Sequence, residues 1–319
     1  MVNTYPDAMQ RANIQCESCH GPGSEHMGNI TDNKIVQDIA MENCAYCHDD
    51  GHYHIRPTQW LLSGHGSGET LYGANRTSCT PCHNGQGFID KIKGEPQGYY
   101  EEIPITCAAC HDPHDNTLNH QVRILTAELG NGFEVTDAGM GGLCYNCHKS
   151  RRDGVAYVED YLNNISSHYG PHHGPQGDML LGLNTYTWGE TLNSSPHYSA
   201  TEDKCVSCHM ADAESQHIPE AGGHTFRMVD PQGNDNVLAC EPCHGDIGDE
   251  FNDKKFYVNG FWSDLDGDGI EEGVQEEMHG LLDILALLLP PVGLPDINVI
   301  DSTWTLDQAA GYYNYEYVL

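Results

Sequence analysis

All fourteen cysteines of this chain fall in seven identical arrangements, each a Cys-x-x-Cys pair followed at once by histidine. The runs are Cys16, Cys19 and His20; Cys44, Cys47 and His48; Cys79, Cys82 and His83; Cys107, Cys110 and His111; Cys144, Cys147 and His148; Cys205, Cys208 and His209; and Cys240, Cys243 and His244. Two thiols three positions apart each add to one vinyl group of a single haem, and the adjacent imidazole then ligates the iron from below. Rival chemistries fit poorly. Zinc sites would need seven further ligand pairs in zinc-like register, thioredoxin-type motifs neither repeat nor require a trailing His, and disulfides leave the seven His unexplained. The sequence therefore predicts seven covalently bound haem c groups, with no cysteine left over.

What each iron does depends on its sixth ligand. The chain has twenty His, so thirteen remain outside the motifs: His26, His52, His54, His65, His114, His120, His168, His172, His173, His197, His217, His224 and His279. That is enough to saturate seven irons. A low-spin iron between two imidazoles has no open position and suits electron transfer, whereas an iron lacking its second His can bind a substrate. Not all thirteen are needed, and any single surplus His is more often a surface residue than a ligand.

The elements that must hold these groups are sparse. Over 319 residues only 38% are apolar, and the net charge is −33 with His neutral. An anion of this size repels nucleic acid and anionic lipid. The side chains are too lean for a conventional core, and seven flat apolar rings supply the missing interior. The motifs are unevenly spaced, and Gly (35) and Pro (16) are scattered between them, which predicts loops and short helical turns pinned by cofactor. The fold class expected is mostly coil with short α-helices wrapped around a haem chain, with little β structure. Residues 98–106 and 132–136 are the candidate strands. The long interval between the fifth and sixth motifs holds Tyr157, Tyr161, Tyr169 and Tyr186 and predicts a local lobe.

After Cys243 the character changes, so the expected division is a haem region over 1–250 and a tail over 251–319. Val274, Met278, Leu281, Leu282, Leu285, Leu288 and Leu289 recur at helical spacing and end at Pro290-Pro291, predicting an apolar brace against the haem region. Just before it, Asp264, Asp266 and Asp268 with Gly269 match positions one, three, five and six of a calcium loop. Position twelve is Gln275 where glutamate is usual, with Glu276 one further on. The competing reading is an acidic, solvated turn; the helix that follows favours a structural Ca²⁺. Apolar runs fall short of the 18 residues of a membrane span. Haem attachment takes place outside the cytoplasmic membrane, so an exported protein is expected, extracellular or at the cell surface, with the periplasm second. The opening Met-Val-Asn-Thr-Tyr-Pro-Asp carries neither a basic n-region nor an apolar h-region. The sequons at Asn29, Asn75, Asn164 and Asn193 are near chance.

Several runs are similar to a known group. Cys-His-Gly-Pro-Gly-Ser-Glu-His26, Trp60-Leu-Leu-Ser-Gly-His65, Cys-His-Asp-Pro-His114, Pro171-His-His-Gly-Pro, Ser195-Pro-His197 and Gly223-His224-Thr-Phe resemble the multihaem c-type cytochromes of the nitrite reductase, hydroxylamine oxidoreductase and cytochrome c554 group. Asp264–Leu289 and the ending Ala309-Ala-Gly-Tyr-Tyr-Asn-Tyr resemble the tails of metal-reducer cytochromes. The resemblance implies His26, His54, His65, His114, His172, His197 and His224 as distal iron ligands, with His52 against His54 and His173 against His172 as close alternatives. His26 and His114 lie so near their own motifs that each is expected to serve a neighbouring haem. Catalytic members often replace a motif His by Lys or leave one haem open. Here all seven motifs keep His, and Arg151-Arg152 is the sole basic pair beside one. The expectation is an electron carrier, not an enzyme: a bis-His haem wire for electron transport to redox partner proteins or an extracellular acceptor. The resemblance extends to extracellular cytochromes that polymerise into filaments, called nanowires, with Ca²⁺ or other cations bridging the acidic interface. The alternative is a multihaem oxidoreductase with one open iron acting on a nitrogen or sulfur oxyanion.

Overall fold

A computed structural model describes residues 14–23, 39–49, 54–68, 71, 73–211, 220–255, 257–258, 261–262, 264–292 and 300–319. Its elements are short because most attachment motifs are themselves one helical turn, which brings residues i and i+3 onto one face. In the first half these are α1 (Cys16–His20), α2 (Glu42–His48), α3 (Arg56–Leu61), α4 (Thr80–His83), α5 (Gly85–Lys93) and α6 (Cys107–Cys110). The second half contains α7 (Gly154–Glu159), α8 (Gln176–Leu181), α9 (Pro196–Ala200), α10 (Cys205–His209), α11 (Glu241–His244), α12 (Val274–Ala286) and α13 (Leu306–Val318). The fifth motif is entered through a 3-10 stretch, Gly139–Asn146. Pro57, Pro81, Pro196 and Pro242 sit in first turns, where a missing N–H costs nothing.

Sheet is limited, among the described residues, to two two-stranded antiparallel pairs. β1 (Ala127–Glu128) pairs with β2 (Glu134–Val135), and β3 (Tyr257–Val258) with β4 (Phe261–Trp262). The strand expected over 132–136 is thus present at Glu134–Val135. Residues 98–106 form no strand, and two of their carbonyls are taken by Asn84 Nδ2 (Glu101) and Gly85 N–H (Ile103). The same Asn84 caps α5 by accepting from Gln86 and Gly87 N–H, and left-handed Gly94 ends the helix.

The chain divides into two compact units, 1–116 and 117–319. This division falls ahead of the boundary expected at 250/251. The tail shares a core with the lobe between the fifth and sixth motifs, so contacts do not thin out at 250. That core joins Tyr157, Val158 and Tyr169 to Leu282, Ala286 and Leu289 of the α12 region and to Trp304, Ala309, Ala310, Tyr312, Tyr313, Tyr315 and Tyr317 around α13. Tyr157 stacks on Tyr169 at 5.0 Å between ring centres, and Trp304 meets Tyr312 edge-on at 5.6 Å. Side-chain bonds lock the seam: Tyr161 donates to the Trp304 carbonyl, Tyr317 to that of Leu183, and Asn314 to that of Tyr186. α12 stops at Ala286, short of the run read from sequence, and Leu288 points to solvent while Leu289 is buried. The apolar pattern does not announce α13, because its buried face is mostly tyrosine, which carries a weak apolar period. A Thr305/Gln308 capping box starts it. No helix among the described residues is long and apolar enough to cross a membrane.

Candidate haem-binding sites

Each motif presents two sulfurs and one imidazole from the same stretch of backbone, as attachment of one ring requires. Cys16 and Cys19 lie on α1, Cys44 and Cys47 on α2, Cys107 and Cys110 on α6, and Cys205 and Cys208 on α10. Cys82 lies on α4 with Cys79 as its N-cap, and Cys243 lies on α11 with Cys240 as its N-cap. All fourteen are free thiols, so no disulfide competes for them; Cys19 and Cys47 are exposed and Cys82 is half-buried. His20, His48, His83, His209 and His244 end their helices. His111 departs from that pattern: it follows α6 in extended backbone, though its N–H still donates to the Cys107 carbonyl at 2.9 Å.

Whether a haem iron fits between motif and distal His is a question of ring spacing. Metal–nitrogen bonds of about 2.0 Å, with each nitrogen about 1.1 Å from its ring centre, set two trans imidazoles about 6 Å apart. His20 and His114 lie 5.9 Å apart with their planes 12° from parallel. His197 and His244 are also 5.9 Å apart, at 71°. Both pairs have the ring-centre separation that two imidazoles on one metal would have. His114 follows the fourth motif in the chain, but its ring lies beside that of His20 in the first.

His54 stands differently. Its Nε2 lies 3.0 Å from His48 Nδ1, with ring centres at 4.9 Å, a direct hydrogen bond with no room for two metal bonds. Burial, then the neighbouring His48 and Arg56, hold the His54 ring below the ordinary imidazole range. The contact falls on a ring nitrogen as an orienting partner would. Two other motif histidines have partners of this kind: His209 Nδ1 meets the Phe226 carbonyl at 3.0 Å, and the Gln176 side chain hydrogen-bonds His148. Crowding by protein atoms lowers the basicity of His148. Sequence reasoning missed Gln176 and Phe226, since a carbonyl or amide partner carries no spacing signature.

Three further distal candidates lie among the described residues. His65 lies half-buried in the turn after α3. His224 sits in a 3-10 turn beside Phe226, the residue whose carbonyl meets His209. His172 adopts a left-handed φ of 79°, costly for a side chain with a Cβ, while its neighbour His173 is exposed. His26, His52 and His217 lie outside the described residues. The basic pair after the fifth motif is partly engaged: the Arg152 guanidinium stacks 4.3 Å from the Tyr157 ring centre.

Sulfur contacts reveal which motifs are neighbours. Within the first unit, the Cys44 and Cys107 side chains hydrogen-bond, joining the second motif to the fourth. In the second unit, Cys144 and Cys205 join the fifth to the sixth, and Cys208 is close enough to Cys240 for their charges to interact. These sulfurs would become thioethers on haem attachment, and their contact would place the attachment points of two haems side by side.

Asp264, Asp266 and Asp268 each offer a carboxylate oxygen within 4.8 Å of the others. Asp264 accepts from Gly267 and Gly269 N–H, Asp266 from Asp268 N–H, and Asp268 from Ile270 N–H. The loop is closed neither by Gln275 nor by Glu276 but by Glu277, which is fully buried and accepts from Leu265, Asp266 and Glu272 N–H. Burial raises its carboxyl, and these donors outweigh that and hold it below its ordinary value.

No family model matches the chain. The chain is 25% identical over 166 residues to the multiheme cytochrome MtrA of Shewanella baltica, an alignment covering 44% of each chain. It thus spans less than half the length of that curated relative. Among solved structures, the outer cell wall cytochrome OcwA superposes with a TM-score of 0.49 at 21% identity, over 73% of this chain and 54% of that one. Seven intact attachment motifs and a multihaem relative aligned to less than half of the chain make this chain similar to the multihaem c-type cytochromes.

Proposed function

We propose that the protein is an exported heptahaem electron carrier, a wire of bis-His haems for long-range electron transfer. The observation that supports this reading is the approach of motif histidines to distal ones at 5.9 Å, a spacing at which both would occupy the axial positions of one iron and leave it no site for substrate. The reading takes every motif on the same terms. Exposed Cys19 and Cys47 and half-buried Cys82 serve as thioether sulfurs like the others, and His111 serves as a proximal ligand although it stands outside a helix. Contacts between the sulfurs of different motifs support it further, because rings that meet at their edges pass electrons without an intervening carrier. The carrier reading also suits a chain with only 14 basic residues against 47 acidic ones, a poor binder of oxyanions. Redox proteins or an extracellular acceptor are its partners, and assembly of copies into a filament is the finer step of the same reading. A structural Ca²⁺ on Asp264, Asp266 and Asp268 would offset charge in the tail.

Intact mass and carbon monoxide binding test this together. The expected result is seven covalent haems and no spectral response of the reduced protein to carbon monoxide. A response from one haem in seven in the native protein would overturn the closed-wire reading in favour of an open site. Electron microscopy of the exported protein decides between filament and discrete carrier.

A further inference from the structure

Helix α8 forms a wall behind the fifth motif. Gly177 N–H donates to the His148 carbonyl at 3.0 Å. A Cβ on Gly177 would lie 2.6 Å from Tyr145 Cδ1 and 2.7 Å from that carbonyl, so helix and motif are in backbone contact. Gln176 hydrogen-bonds the His148 ring. The next residue along the helix is Asp178, which is completely buried. Its Oδ2 accepts the Ser150 N–H at 2.6 Å, and its Oδ1 accepts from Asn184 Nδ2 at 2.6 Å. Tyr313 OH ties the clamp together, donating to the Asn184 carbonyl at 3.1 Å and lying 3.4 Å from Ser150 Oγ.

The chemistry of this clamp is that of an anion. Both carboxyl oxygens face N–H donors at short, charge-assisted distances, which leaves a protonated carboxyl no acceptor in the clamp. A buried charge is expensive, and holding the Ser150 turn does not require one, since an amide oxygen would accept the same N–H. Charged and titratable neighbours are Lys149, on the motif side, and the Tyr313 and Tyr317 phenols from α13. Burial pushes the Asp178 carboxyl up, opposed by the Ser150 and Asn184 donors and by Lys149.

We propose that Asp178 is a positioning residue for the haem on Cys144 and Cys147: it locks the turn behind His148, and its fixed negative charge holds that iron's reduction potential below the value it would otherwise have. The inference rests on the haem reading above. A nearby anion stabilises the ferric over the ferrous state, so removing it favours reduction.

The test is spectroelectrochemical titration of wild type, D178N and D178N/N184D, each with intact mass and haem-peptide mapping. D178N is expected to raise one of the seven midpoints by several-fold to tenfold in that couple's equilibrium, tenfold being 59 mV for one electron. The double variant moves the carboxylate to the other end of the same hydrogen bond and is expected to return that midpoint to wild type. Unchanged potentials in a D178N protein carrying all seven haems would overturn the proposal, as would a double variant that behaves like D178N. If D178N fails to mature, the double variant decides alone: full haem content with wild-type potentials supports the proposal, and a raised midpoint refutes it. Absence of haem from the Cys144–Cys147 peptide of the wild type would instead overturn the haem reading.

Discussion

Replacing single distal histidines by alanine should open irons one at a time, and the geometry states which. His114 lies 5.9 Å from His20, and His197 lies 5.9 Å from His244, against about 6 Å for two imidazoles sharing a metal. His54 instead lies 3.0 Å, nitrogen to nitrogen, from His48, where a metal between them would need about 4 Å. H114A should therefore convert one iron to five-coordinate, and H197A another, while H54A should open none at the second motif. With seven motifs, carbon monoxide added to dithionite-reduced protein should perturb one seventh of the haem absorbance in H114A, one seventh in H197A, two sevenths in the double variant and none in H54A or wild type. The two sites are distinguishable before reduction. Near-parallel imidazoles at the first motif should give a rhombic low-spin resonance and near-perpendicular ones at the seventh a more anisotropic signal, each lost from its own variant. A carbon monoxide response in H54A with none in H114A would refute the ring-spacing reasoning.

Two tyrosines in one core should respond oppositely to loss of the hydroxyl. Tyr169 OH is buried with no hydrogen-bond partner, so Tyr169→Phe should stabilise by about 1 kcal/mol; Tyr313→Phe, which loses its bond to the Asn184 carbonyl, should destabilise by about 1–2 kcal/mol, both read from denaturant midpoints. Equal effects of one sign would contradict the assignment. Burial raises Tyr145, Tyr169, Tyr198 and Tyr317 well above the ordinary phenol value of 10.0 and Tyr313 to about 12. The unfolded chain then loses these protons first, so the stability they contribute is complete below pH 10 and falls as pH rises through 12. Melting followed from pH 8 upward should show no tyrosine-linked decline until about pH 10, and an earlier decline matched to phenolate absorbance would be inconsistent with their burial. Calcium chelation should lower the melting midpoint of wild type and leave Asp266→Asn unaffected; a chelator-insensitive wild type would remove Ca²⁺ from the account.

The cofactor chemistry was legible in sequence because covalent attachment demands adjacent residues. Cys16 to His20 is a local pattern, and each of its six repeats reports the same reaction without reference to the fold. Acidity and the poverty of sheet follow equally from composition. The Asp264–Asp268 loop was legible for the same reason, its oxygens lying within five residues. Partnerships across the chain were not. His114 meets His20 over ninety-four residues, and Cys44 meets Cys107 over sixty-three, because chain folding, not spacing, brings them together. Resemblance supplied His54 as a ligand; that its Nε2 lies 3.0 Å from His48 Nδ1 only the packed structure shows. Glu277 and Asp178 look like ordinary solvated acids in a chain with 47 of them. Their burial, and the backbone donors that compensate it, arise only when α12 folds against its own loop and α8 folds against the fifth motif.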